Sequence, residues 1–309
     1  MKDTLRNLFG IATAVLLLTC SASLAAEPLN VGVTLHPYYS WVANIAGDTV
    51  NLQTVIPDNV DPHSYQMRPQ DIESLSKLDV IVVNTLGHDD YIEEMLQAAG
   101  KADIKRIHPN TGIPLIASHH KSYDSQQSKP ESVSYNSHTY VAILGAIQQI
   151  NTIASELGKL VPEHADLYKE NARNYAVTLR KMLRNALQKL DKNKAETLTI
   201  ASVHDGYAYL FQELGIKTDA VVQPRHGIEP SARQLADTIN RIKKAKVNVL
   251  FTEVSYQKKY VDTIFAETGC RMYSLSHISN GTYSPEKFVV DMQNNLDTIV
   301  NALGSEAAL

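Results

Sequence analysis

The chain has 309 residues, 44% of them hydrophobic and 20% charged, and carries a formal net charge of −4. That length is too great for one small core and suits roughly two lobes of 100–150 residues. The acidic balance gives no basic surface for nucleic acid or an anionic membrane, and after residue 26 nothing approaches the ~20-residue apolar run of a membrane span.

Residues 1–26 read as a secretory signal peptide. Lys2 and Arg6 supply the basic start, Leu8 to Leu18 an apolar core too short to span, and Ser23-Leu24-Ala25 or the step to Ala26 a small-residue cleavage site. Cys20 is a candidate lipid attachment point, but Thr19 before it is bulkier than the small residue usual there, so simple cleavage and a freely soluble exported product are expected. If Cys20 leaves with the signal, Cys270 is the only cysteine of the mature chain, and no intramolecular disulfide forms. Its apolar context fits a small core residue.

From Pro28 onward strands and helices alternate. Leu29 to Leu35 is a valine-rich strand ended by His36-Pro37, and Tyr38 to Ala46 is helical, closed by Gly47. Val50 to Ile56 is the second strand. Pro57-Asp58-Asn59 then turns the chain into Val60-Asp61-Pro62-His63-Ser64-Tyr65, where Pro62 stiffens a polar loop at a strand's carboxyl end. Pro69 to Leu78 is a short amphipathic helix, and Val80 to Val83 is a continuous apolar run of the kind buried on both faces. Tyr91 to Ala99 is helical, and Ile104 to Ile107 is a fourth strand.

Residues 117–137 interrupt this rhythm with a polar run that includes His119 and His120, and read as a loop. A helix is expected from His138 to Leu160. Pro162 opens a long amphipathic helix whose stripe runs through Tyr175, Leu179, Met182, Leu183, Ala186, Leu187 and Leu190. From 162 to 190 it would be on the order of 43 Å long. The alternation then restarts: strand Thr197–Val203, His204-Asp205-Gly206 and a helix to Leu214, strand Asp219–Val222, helix Pro230–Lys244, strand Val247–Thr252, helix Gln257–Thr268, strand Arg271–Leu275, and a closing helix Pro285–Leu303. The expected architecture is α/β: two βα lobes with parallel-type sheets, joined by one long rigid helix, with a cleft between them. The expected divisions are 1–26 signal peptide, 27–161 first lobe, 162–194 connecting helix and 195–309 second lobe.

Of the eleven histidines, His63, His204 and His277 follow strands at their carboxyl ends, where ligands of open α/β sheets bind. His138 opens a helix and can face the same cleft. No pair has zinc-finger or His-x-x-x-His spacing, so spacing alone is a weak metal signal. Imidazole suits zinc, copper, nickel and iron(II), whereas manganese and magnesium prefer more oxygen. His88, His108 and His164 read as surface residues. His119 and His120 offer weak capture from the loop, and His36 and His226 sit near strand ends where either could enter the cleft.

Several segments together resemble the periplasmic solute-binding proteins of zinc and manganese ABC importers, the ZnuA/TroA-like group. Asp61-Pro62-His63-Ser64-Tyr65 with Arg68-Pro69-Gln70-Asp71 is similar to that family's first-ligand segment. Ser137-His138-Thr139-Tyr140 resembles the second, with Ser137 in place of the usual proline, and Val203-His204-Asp205-Gly206-Tyr207 resembles the third. Tyr168-Lys169-Glu170-Asn171, Ile228-Glu229-Pro230-Ser231 and Thr252-Glu253 match further landmarks. The resemblance spans nearly all of the mature chain and implies that His63, His138 and His204 are ligands. His204 stands where manganese binders of the family usually carry a glutamate.

At the fourth position the family usually places an aspartate after the last strand. This chain reads Leu275-Ser276-His277-Ile278, so His277 is the expected substitute, with Glu253, His36, His226 or water as alternatives. The resemblance implies a periplasmic protein that binds Zn²⁺, with Mn²⁺ second and nickel, copper or iron further alternatives. It would act as a monomer without nucleic acid and deliver the ion to a membrane permease. Because neutral imidazoles are needed, affinity should fall below about pH 6.5. A chaperone or adhesin of the same fold is a rival reading. A zinc hydrolase with Glu253 as base is a remote one, since no His-Glu-x-x-His segment occurs.

Overall fold

The computed structural model describes residues 27–62, 65–118, 135–222, 231–254 and 257–304. The first lobe runs β1 (Leu29–Val33), α1 (His36–Ala46), β2 (Val50–Thr54), α2 (Pro69–Leu75), β3 (Val80–Val82), α3 (Tyr91–Ala98) and β4 (Lys105–Ile107). Its four strands are parallel in the order β2-β1-β3-β4. Pro37 and Pro69 stand in the first turns of α1 and α2, where a missing N–H costs nothing. Gly47 ends α1 at φ 53°, a conformation that favours glycine.

Helix α4 (Ile143–Leu160), a 3-10 turn (Pro162–His164) and α5 (Ala165–Lys189) follow, then the short α6 (Lys192–Thr197). The second lobe runs β5 (Ile200–Ser202), α7 (Ala208–Leu214), β6 (Ala220–Val221), α8 (Ala232–Ala245), β7 (Val249–Glu253), α9 (Lys258–Thr268), β8 (Arg271–Leu275) and α10 (Lys287–Leu303). Its strands are also all parallel, in the order β6-β5-β7-β8. In each sheet the order reverses beside the lobe's first strand, which opens a crevice at the carboxyl ends of the strands.

The expected two-lobed α/β architecture with one long helix is therefore present, and three of the local differences have a traceable cause. The helix expected from His138 begins five residues later, at Ile143, because its start is set from the other lobe. Both carboxylate oxygens of Glu213 on α7 accept the Ile143 and Leu144 N–H groups, at 2.7 and 2.6 Å. The long helix begins at Ala165, since Pro162 starts a separate 3-10 turn. Here Gly158 lets α4 and α5 approach so closely that a Cβ on it would lie 3.1 Å from Ala165 Cβ. The strand expected from Thr197 begins at Ile200, because Asp191 caps α6 by accepting the Lys194 N–H at 3.1 Å.

At 25 residues α5 is about 38 Å long. Its buried stripe, Tyr168, Ala172, Ala176, Leu179, Met182, Leu183 and Ala186, belongs to a core shared by both lobes. That core holds Val31 and Val33 of β1 together with Phe251 of β7, Leu275 of β8 and Phe288 and Leu296 of α10. Smaller clusters cover the outer sheet faces: Ile81, Val83 and Leu96 in one lobe, Ala201, Leu250, Ile264 and Cys270 in the other.

Candidate metal centre

His204 is placed by strand alternation. Val203 continues β5 through a bond from its N–H to the Phe251 carbonyl, 2.9 Å, and turns its side chain into the outer core. His204 keeps an extended backbone (φ −133°, ψ 152°) and points the opposite way. The chain then tightens into the 3-10 turn Asp205–Tyr207.

His277 is placed by a turn locked to α10. Asn295 clamps Ser276 on both sides, accepting its N–H at 2.7 Å and donating to its carbonyl at 2.8 Å. The Ser276 hydroxyl donates to Asp291 at 3.1 Å and accepts the Ile278 N–H at 3.0 Å. Ser276, which occupies the place of the expected acid, is thus engaged with α10, and the next residue faces the cleft. The turn leaves the buried, β-branched Ile278 at φ 59°, a strain of order 1–3 kcal/mol that the surrounding bonds hold in place.

His138 lies in the loop between β4 and α4. Its backbone N–H and its Nδ1 both reach the Oδ1 of Asn136 at 2.9 Å. The amide orientation follows from its unambiguous partners: a backbone N–H must meet Oδ1, and the Asp205 carbonyl, 2.7 Å away, must meet Nδ2. Oδ1 can only accept, so Nδ1 of His138 carries a proton, and in the neutral ring Nε2 then presents its lone pair.

His138, His204 and His277 converge. All three are buried, and each offers a nitrogen within 4.8 Å of those of the others. Ring centroids are 4.9 Å apart for His138–His204, 5.2 Å for His138–His277 and 4.9 Å for His204–His277. The Nε2 atoms of His138 and His204 are 3.4 Å apart. In a tetrahedral site with ~2.0–2.1 Å metal–nitrogen bonds, two ligand nitrogens stand about 3.3–3.4 Å apart. This pair is therefore spaced as a tetrahedral ion requires. Tyr207 packs its ring 4.7 Å from that of His277 and donates its hydroxyl to the Leu275 carbonyl at 2.8 Å.

The other candidates separate. His63, His226, His119 and His120 lie outside the described residues. Glu253, at the end of β7, has Oε1 3.9 Å from His277 Nε2, beside the cluster. His36 is not at the cluster: its Nε2 is 2.9 Å from the Gly281 carbonyl, and its ring stacks on Tyr283 at 3.7 Å. Burial holds its pKa down at about 4. The surface reading of His88 is corrected. It is buried, with Nε2 2.5 Å from the Tyr140 hydroxyl and its ring 5.0 Å from that of His138. The segment after Gly87 turns inward because buried Asp89 accepts the N–H groups of Asn84 and Thr85.

Sequence reasoning assigned no role to Asn136 or Gly206. Asn136, two residues before a candidate ligand, carried a weak signal in its Asn-x-His spacing. Gly206 is where a Cβ would lie 2.6 Å from His277 Nε2 and 2.9 Å from His204 Cδ2, so only glycine leaves these rings their place.

The family described as "Zinc-uptake complex component A periplasmic" (ZnuA) matches residues 31–302. The "High-affinity zinc uptake system protein ZnuA" of Bacillus subtilis is 24% identical over 311 residues, covering 96% of this chain and 97% of that protein. The solute-binding protein FpvC of Pseudomonas aeruginosa, solved in complex with Mn²⁺, is 43% identical. It covers 90% of this chain and 98% of its own, with a TM-score of 0.81. The same protein in complex with Ni²⁺ is also 43% identical, covering 92% and 99%, with a TM-score of 0.82.

Proposed function

The chain belongs to the ZnuA family, and from that membership we propose that it captures a divalent metal ion, Zn²⁺ foremost, and delivers it to the membrane permease of an ABC importer. The observation that carries the reading is the convergence of His138, His204 and His277, three buried imidazoles within 4.8 Å. His63 completes the set as fourth ligand, from the loop after β2. A site closed by four protein ligands holds an ion without leaving a position for substrate, which suits cargo binding rather than hydrolysis.

Zinc is favoured by the donor set. Imidazoles with no carboxylate among them suit a borderline-soft ion better than manganese, and the 3.4 Å spacing of His138 and His204 fits short bonds. A second reading, nickel alongside zinc, is favoured by the Ni²⁺ complex of FpvC. Export by residues 1–26 would place the protein in the periplasm as a monomer. The lobes would divide at 27–161 and 195–309, with 162–194 connecting them.

The test is metal analysis of protein purified without added metal, followed by competition titration with Zn²⁺, Ni²⁺ and Mn²⁺. One equivalent of zinc, bound more tightly than manganese and weakened at least 100-fold by His204→Ala or His138→Ala, is the expected result. Tighter manganese than zinc would overturn the zinc assignment. Wild-type affinity in a His138→Ala, His204→Ala double variant would overturn the site.

A further inference from the structure

Asn136 is 4% exposed and its side-chain amide makes three hydrogen bonds. Oδ1 accepts both the backbone N–H and the Nδ1–H of His138, each at 2.9 Å, and Nδ2 donates to the Asp205 carbonyl at 2.7 Å. Its backbone is held as well. The Asn136 N–H donates to the Ile116 carbonyl at 2.8 Å, and the Asn136 carbonyl accepts the Tyr209 hydroxyl at 2.9 Å. That hydroxyl in turn accepts the Ile116 N–H at 3.0 Å. Tyr209 lies on α7 and Asp205 beside His204, so two residues of the second lobe grip a loop of the first.

We infer that Asn136 is a positioning residue with two tasks: it fixes the His138 tautomer that aims Nε2 into the cleft, and it ties the His138 loop to the His204 loop. The inference rests on the metal-binding reading above for its purpose, but not for its geometry. A histidine free to choose places its proton on either nitrogen, and only one form offers the inner nitrogen as a ligand. An outer acceptor removes that choice before the ion arrives, and loss of such a partner typically lowers metal affinity about 10–100-fold.

The second task explains why the residue is an amide. An aspartate would accept from His138 but would set a carboxylate oxygen against the Asp205 carbonyl, with no proton to share. A serine offers one oxygen, too short to reach both partners. Glutamine is longer by one methylene, which would carry its amide away from partners that asparagine meets at 2.7–2.9 Å. Asparagine has a donor and an acceptor on one short, planar group. The distance between the second and third ligands is thereby set by a single side chain rather than by lobe packing alone.

The tasks are separable by experiment. In metal-free protein labelled with ¹⁵N-histidine, the resonances of His138 are those lost in His138→Gln. Wild type should show the Nδ1–H form. Asn136→Ala should shift His138 toward a mixture of tautomers and weaken Zn²⁺ about 10–100-fold. Asn136→Asp should keep the Nδ1–H form, yet exchange amide hydrogens faster across 203–207 and release Zn²⁺ faster. An unchanged tautomer in Asn136→Ala would overturn the first task. Wild-type exchange across 203–207 in Asn136→Asp would overturn the second, and this variant serves if the alanine variant does not fold. Tautomer and exchange are read without metal, so they stand apart from a failure of wild type to bind zinc, which would sink the metal reading instead.

Discussion

A methyl group on Gly206 would lie 2.6 Å from the Nε2 of His277, closer than any real contact. The same methyl would lie 2.9 Å from Cδ2 of His204. Both rings belong to the buried cluster, so neither can retreat without giving up the convergence. Gly206→Ala is expected to weaken Zn²⁺ at least tenfold, ~1.4 kcal/mol. Overpacking would also cost the metal-free fold about 1–3 kcal/mol. Competition with a coloured chelator, beside a denaturant titration without metal, separates the two losses. Unaltered affinity in the folded variant would mean that His277 takes no part in binding.

Zn²⁺ at about 1,000 times its dissociation constant should add ~4 kcal/mol to the stability of a chain that binds it only when folded. For a protein of this size that raises the midpoint of thermal unfolding by roughly 10 °C. Scanning calorimetry with zinc and then with excess chelator should show the rise and its reversal. A His138→Ala, His204→Ala double variant should show neither.

His36 makes stability depend on acid. Its Nε2–H is used by the Gly281 carbonyl, and its buried Nδ1 has no hydrogen-bond partner among the described residues. Charging the ring would add an N–H there with nothing to receive it. Burial, aided by Lys287, therefore holds the pKa near 4 against the ordinary 6.5, although Asp58 and Asp291 pull it the other way. The unfolded chain takes up the proton first, so the neutral ring's contribution is complete above about pH 6.5 and disappears as pH falls toward 4. The whole step is on the order of 3 kcal/mol. Urea unfolding of metal-free protein at intervals across that range should show it. In His36→Gln the slope there should flatten, and an unchanged slope would assign the effect elsewhere.

Glu213 should matter to stability although it touches no candidate ligand. It caps α4 from α7 by accepting two N–H groups that nothing within the helix can satisfy. Burial raises its pKa above the ordinary carboxylate range, while those two bonds draw it back down. Glu213→Ala leaves both N–H groups bare and is expected to cost about 1–3 kcal/mol. Amide exchange at Ile143 and Leu144 should quicken in step. Equal exchange in variant and wild type would show the cap to be dispensable.

What could be read in the sequence was whatever depends on neighbours along the chain. The valine-rich strands, the Pro37 and Pro69 starts and the apolar stripe of α5 all follow from local pattern, and the two parallel sheets follow from their alternation. The start of α4 could not be read there, because Glu213, seventy residues away, decides it. His88 was misplaced because Gly87-His88-Asp89-Asp90 looks polar, whereas Asp89 spends its charge on three hydrogen bonds inside the lobe. His204 and His277 were legible from their strand ends. The reason His277 faces the cleft while Ser276 does not lies in Asn295 and Asp291, on a helix that no short motif connects to the turn. His36 illustrates the limit from the other side: a strand-end histidine that pairs with a carbonyl instead of joining the cluster.

The core around α5 also bears on modularity. Valines of β1, Phe251 and Leu275 of the second sheet, and Phe288 and Leu296 of α10 meet in one continuous apolar interior. A chain divided after α4 would leave the first half with its inner wall bare and would strip α5, in the second half, of its packing on α1 and α4, leaving it against α10. The two βα units repeat in topology, but they are not interchangeable parts. Exchanging a lobe with a relative would mean exchanging the matching face of α5 with it, so the protein inherits and changes its ligand geometry as a whole.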